Sequence, residues 1–152
     1  LFKGVVTNDA HVLAIDISEE RNGKIGDYVV AQICISGVDA QLNPETEDKT
    51  YIRAGKATTK TATQRTFNVT GDKYHGDDFQ DFVGKHKIKF GTGQDVIVPY
   101  VYFSLLTGEG EKGKAAIIVN SDGSGEAGAS AEIDVDVMAV ETPSEYTYSA
   151  EV

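Results

Sequence analysis

Residues 63–108, TQRTFNVTGDKYHGDDFQDFVGKHKIKFGTGQDVIVPYVYFSLLTG, carry the pattern that decides the fold. Within them Phe79, Phe82 and Val83 stand at i, i+3 and i+4, the spacing that gathers apolar side chains on one helical face. Asp77 and Asp78 precede them, suited to N-capping and to the positive end of a helix dipole, and Gly84 follows as a natural terminator. On both sides the period changes to two. Lys85, Lys87 and Lys89 would alternate with His86, Ile88 and Phe90, as on a strand. Residues 96–106 form a run of β-branched and aromatic types broken by Pro99, which calls for an edge, a bulge or a bend there. One short helix set between strands is expected, and no catalytic motif interrupts it.

The rest of the chain continues the β pattern. Residues 11–17 alternate, 19–27 hold the turn dipeptide Asn22-Gly23, and 28–42 place Val29, Ala31, Ile33 and Ile35 opposite Val30, Gln32, Cys34 and Ser36. Residues 66–70 alternate again before the helix. Residues 107–113 read as a turn, 114–120 as a return strand and 121–130 as a loop. The last strong strand is read at 131–141, and 146–152 as an added strand or a tail. The expectation is a single mainly β domain over residues 1–152: two packed antiparallel β-sheets, a sandwich or half-barrel, flanked by one short α-helix.

Residues 43–63 differ in character. They hold Pro44, a charged cluster of Glu45, Glu47, Asp48 and Lys49, a strand-like piece with Tyr51 and Arg53, and then a Thr/Lys/Ala-rich stretch with Lys56 and Lys60. So little apolar surface cannot offset the entropy of ordering, so the segment is a flexible loop or an arm that orders against a partner.

Composition narrows the function classes. With 24 acidic and 14 basic residues the formal net charge is −10, the wrong sign for gripping phosphate backbones. The one cysteine, Cys34, sits in an apolar run and reads as a small buried hydrophobe. His11, His75 and His86 share no metal-ligand spacing, and no GxSxG elbow, P-loop or HExxH motif is present, so neither cofactor nor metal is expected. The serine- and glycine-rich stretch 121–126 lacks the spacing of a calcium loop. No run approaches the ~20 apolar residues of a membrane span.

The most pointed feature is the acidic row Glu132, Asp134 and Asp136, spaced about 6.6 Å on one face of a strand. Adjacent carboxylates at that spacing repel by about 0.6 kcal/mol in water. Two such groups could serve a glycosidase, but catalytic pairs come from facing elements, and the chain has no tryptophan to platform a sugar. A solvated face, a row paired with Lys85, Lys87 and Lys89, or a wall that repels an anionic polymer remain as readings.

The stretches DAQLNPETEDKTYI (39–52), QRTFNVTGDKYHGDDFQDFVG (64–84), YVYFSLLTGEG (100–110) and IVNSDGSGEAGASAEIDVDVMAV (118–140) together resemble the major tail tube proteins of long-tailed, siphovirus-type bacteriophages of Gram-positive hosts. The resemblance covers most of the chain from about Tyr28. It implies a structural subunit, not an enzyme, that forms hexameric rings stacked into a tube for genome delivery. Its partners would be itself, the tape measure, tail terminator and distal tail proteins, with DNA passing without specific binding and no membrane. Its place would be the virion, after assembly in the host cytoplasm. By the same resemblance Asn43, Pro44, Glu45, Glu47, Asp48, Lys49, Tyr51, Arg53, Lys56 and Lys60 would belong to an arm between subunits or rings, with further arms at 1–10 and 142–152. Glu132, Asp134 and Asp136 would line the lumen or a seam between subunits. The inner tube of a contractile tail or tailocin-type device is the neighbouring alternative, and a carbohydrate-binding β-sandwich the contrasting one.

Overall fold

The computed structural model describes residues 4–7, 10–17, 28–32, 34–124 and 127–147. The Asn22-Gly23 turn, the facing of Ile33, and parts of both terminal segments (1–3, 8–9 and 148–152) lie outside the described residues.

The described residues form ten strands: β1 (His11–Asp16), β2 (Tyr28–Val30), β3 (Ile35–Gln41), β4 (Glu45–Tyr51), β5 (Gly55–Ala62), β6 (Thr66–Asp72), β7 (Ile97–Ser104), β8 (Glu109–Ser124), β9 (Glu132–Ala139) and β10 (Ser144–Thr147). All pairings are antiparallel. Seven strands follow the order β2-β1-β7-β8-β9-β6-β3, β10 lies along the start of β8, and β4 and β5 make a separate ribbon. The antiparallel, mainly β architecture expected from the sequence is present, and its two packed halves belong to one hydrogen-bonded sheet.

Contacts across the core show that this sheet bends over itself. Three steps of about 4.8 Å separate β6 from β7 in the strand order, roughly 14 Å if flat. Yet Phe67 on β6 meets Tyr102 and Tyr100 on β7 at centroid distances of 4.7 and 5.6 Å. The sixteen-residue β8 makes the fold-over possible, pairing with β7 and β10 along its first part and with β9 along its second. Inside lie Leu13, Ile15, Phe67, Val69, Val98, Tyr100, Ile117, Val135 and Val137, covered by Phe79, Phe82, Val83 and Ile88 from the helices. Burying a Val, Leu, Ile or Phe side chain contributes about 1.5–3 kcal/mol, so this alternation fixes the register. A smaller cluster of Ala14, Val101 and Phe103, with Tyr28, Val30 and Tyr146 against it, forms separately.

Helix α1 (Asp78–Val83) forms where the i, i+3, i+4 triplet places it. The Asp77 carboxylate accepts from the Gln80 backbone N–H at 3.2 Å, and Gly84 stands at the C-cap. Gln80 pins the chain before the helix: its Oε1 accepts from Tyr74 N–H at 2.8 Å and its Nε2 donates to the Asp72 carbonyl at 3.0 Å.

Several expectations are corrected. The lysine-alternating stretch is a second helix, α2 (His86–Phe90), followed by a 3-10 turn at Gly93–Val96. The Lys85 carbonyl accepts from Ile88 and Lys89, Ile88 is the one residue the core takes, and the His86 ring meets that of Phe90 at i+4 in a tilted contact. The 28–42 run breaks between Val30 and Ile35, where the chain passes from β1 to β6. Cys34 turns that corner with φ 57° and is exposed, not buried. The corner presses so closely on β6 that a Cβ on Gly71 would collide with the Cys34 carbonyl. Pro99 lies in an interior strand, just past Tyr100, where the β1 pairing ends, so it interrupts no β1 register. Residues 109–113 and 121–124, read as a turn and the start of a loop, are both parts of β8.

Candidate functional site

Two surfaces stand out. The first is the outward face of β3, β6, β9 and the second part of β8. On β9, Ile133, Val135 and Val137 are buried, so Glu132, Asp134 and Asp136 point away from the core. Opposite them in register lie Asp72, Thr70 and Asn68 of β6, and Asp39 of β3 sits opposite Asn68. Asn68 Nδ2 donates to Asp134 at 2.6 Å and to Asp136 at 2.7 Å, and Asn120 Nδ2 donates to the other oxygen of Asp136 at 2.9 Å. Neutral amides therefore hold the carboxylates in place without cancelling their charge. Among the described residues no salt bridge joins Asp39, Asp72, Glu132, Asp134 or Asp136 to a cation.

The lysines once set against this row are engaged elsewhere. Lys89 bonds Asp122 at 2.9 Å, Lys87 approaches Asp95 at 3.9 Å, and Lys85 lies over the Phe82 ring. The Lys89 hydrogen bond and charge hold the Asp122 carboxyl below its usual range.

The second surface is the β4–β5 hairpin, which carries every residue named for the arm. Asn43 stands at its root with φ 45°, and its Nδ2 donates to Thr66 Oγ1 at 2.7 Å and to the Gln64 carbonyl at 3.3 Å. Pro44 follows, and the Gln64 N–H donates to the Leu42 carbonyl, so the ribbon prolongs the β3–β6 pair. Glu45 to Tyr51 pairs with Gly55 to Ala62 along both strands, and every residue of β4 is exposed. Lys56 reaches Asp48 at 3.4 Å, Thr58 Oγ1 donates to the same carboxylate at 2.6 Å, and Lys49 lies 3.7 Å from Glu47. Lys60 lies opposite Thr46, and Arg53, at φ 73°, turns the tip. These exposed pairs contribute little individually. A two-stranded ribbon bare on both faces is marginal in water, so a surface that covers it would add much of its order.

The sequence pattern did not reveal what ties the curled sheet shut. Arg65 lays its guanidinium over the adjoining rings of Phe67 (4.8 Å) and Tyr102 (5.0 Å) and sets Nε 2.6 Å from Glu111. The Nε–H does not aim along that line, so the contact is an ion pair rather than an aligned hydrogen bond. Beside it the Tyr100 hydroxyl is buried without a hydrogen-bond partner. Burial first, then the Glu111 charge, pushes its phenol far up, and burial likewise raises Tyr102. The signal available in the sequence was Arg65 two residues before Phe67, on the same strand face.

Among the described residues no His/Cys/Asp/Glu cluster suits a metal ion, and no helix is long and apolar enough to cross a membrane. The fold is similar to that of chains in two gene transfer agent structures. The chain aligns with the tail of an empty gene transfer agent particle, refined with C6 symmetry, at a TM-score of 0.66 and 14% identity, over 95% of this chain and 100% of that one. It aligns with a chain of the native gene transfer agent virion at 0.63 and 11%, over 94% and 100%. No family model and no curated protein sequence matches the chain.

Proposed function

We propose that this chain is a tail tube subunit: six copies close a ring, rings stack into a tube, and the tube conducts a genome. The observation that carries this is the combination of a curled antiparallel sheet with a bare projecting hairpin, in a chain that aligns over nearly its whole length with a sixfold tail. The role is geometric and non-catalytic. Sheet edges and arms find other copies, which removes exposed edges and orders the hairpin.

The acidic face then faces the lumen or a seam between subunits. Six copies carry 6 × (−10) = −60 formal charges, felt within a Debye length of ~8 Å at physiological salt. DNA would be kept off the wall without being barred from the bore. In this account the subunit belongs with the major tail proteins of siphophages infecting Gram-positive hosts. It is assembled in the host cytoplasm, resides in the virion, and meets tape measure, terminator and distal tail proteins at the tube's ends. Light scattering with negative-stain microscopy tests the proposal. Rings or tubes about 80–100 Å across, the size six compact domains around a pore require, are expected. A chain that stays monomeric at high concentration contradicts it.

A further inference from the structure

The bent sheet does not close evenly. Between β1–β2 on one side and the start of β3 on the other lies a groove of about 270 Å³, lined by Val12, Leu13, Val30, Ile35, Val38 and Leu105 among others. Pockets for drug-sized ligands run to about 300–1,000 Å³, so this one suits one or two side chains. His11, stacked on Tyr102 at 5.5 Å, also lines it, and its buried Nδ1 has no hydrogen-bond partner.

The chain also carries a probe of matching chemistry. The hairpin is polar along its length but apolar at its tip, where Tyr51 is 49% and Ile52 93% exposed. The groove sits at the start of β3, whereas the hairpin leaves from its end, beyond Gln41. The ten residues from Gln41 to Tyr51 span up to about 33 Å when extended, so the tip sits far along the arm and, being exposed, is not seated in its own chain. Charge points the same way. Residues 43–63 hold four basic and three acidic side chains, a net +1, which leaves −10 − 1 = −11 on the remainder.

We propose that the Tyr51–Ile52 tip of one copy seats in the β1–β3 groove of another, against the apolar side chains that line it. This rests on the tube reading and names the arm's receptor. A tip at one end of the molecule and a groove at the other make the contact head-to-tail, which links successive copies into a ring or an open stack instead of ending at a dimer.

Cys34 provides the test, because it is exposed on the groove's rim between Gln32 and Ile35 and is the chain's single cysteine. In assembled Ile52→Cys protein a short bismaleimide is expected to link chains into a ladder of dimers, trimers and longer species on a denaturing gel. Ile52→Cys combined with Cys34→Ser should give dimers at most. A companion variant, Tyr51→Ser with Ile52→Ser, changes only exposed residues and should raise the concentration needed for tubes about tenfold or more. Tubes visible by microscopy without the ladder, or a ladder that survives Cys34→Ser, overturns the groove assignment alone. Wild-type protein that forms no tubes removes the tube reading and the groove assignment together.

Discussion

The ring of Phe67 lies 4.7 Å from that of Tyr102, centroid to centroid, although β8 and β9 separate their strands in the sheet. Arg65 rests on both rings and pairs with Glu111, so one side chain joins the two halves of a folded-over sheet. Removing one partner of a buried ion pair costs about 3–5 kcal/mol. Arg65 and Glu111 keep 13% and 23% side-chain exposure, which weakens that penalty. Arg65→Ala should therefore cost about 2–4 kcal/mol and Phe67→Ala about 3–5 kcal/mol. Guanidinium unfolding of the unassembled chain measures both, and a loss under about 1 kcal/mol for either would show that the closure lies elsewhere.

Tyr100 gives the opposite expectation. Its hydroxyl is buried without a partner, so Tyr100→Phe should stabilise by about 1 kcal/mol. The pH dependence follows from the upward shift of its phenol. The unfolded chain ionises Tyr100 near pH 10, whereas the folded chain holds the proton to higher pH. The stabilisation is complete below about pH 10 and is lost as pH rises beyond it toward the folded value. Tyr100→Phe should flatten that alkaline decline, read from unfolding curves at stepped pH.

The hairpin should be separable from the fold. Because Gln64 already donates to the Leu42 carbonyl, residues 43–63 can be replaced by Asn-Gly, which closes a two-residue hairpin. The shortened chain is expected to keep its circular dichroism spectrum and unfolding midpoint while forming no long tubes. Normal tubes from it would rule out the arm.

Charge on the acidic face should matter to DNA and not to folding. Glu132 and Asp39 are exposed, so Glu132→Lys with Asp39→Lys should leave assembly intact. The altered tubes should retain double-stranded DNA at low salt and release it steeply as salt rises. Filter retention of labelled DNA by wild-type and altered tubes measures this; equal retention would detach the acidic face from the lumen.

Much of this architecture was legible in the chain. The alternation of Val135 and Val137 with Asp134 and Asp136 fixed both a strand and its facing, and the triplet Phe79, Phe82 and Val83 marked α1. Where local pattern failed, a distant partner decided. Lys85–Phe90 alternates as well as any strand, but no neighbouring edge receives it, and Ile88 reaches the core only from a helix. Cys34 lies in a run as apolar as a buried strand, yet the chain must leave β1 for β6 at that point, and Gly71 makes room for the corner. The partners Asn68 and Asn120 lie 66 and 16 residues from the aspartates they hold, Asp134 and Asp136, beyond any local period. Segment 43–63 was correctly marked as poor in core residues, but its full pairing into a ribbon was not visible from composition.

A cryo-electron microscopy reconstruction of the assembled protein tests the central claim most directly. The account predicts sixfold rings whose inner wall carries Glu132, Asp134 and Asp136, with each hairpin running from its own subunit onto a neighbouring copy. A particle without sixfold rings, or a tube with all three acidic residues on its outer surface, would contradict it.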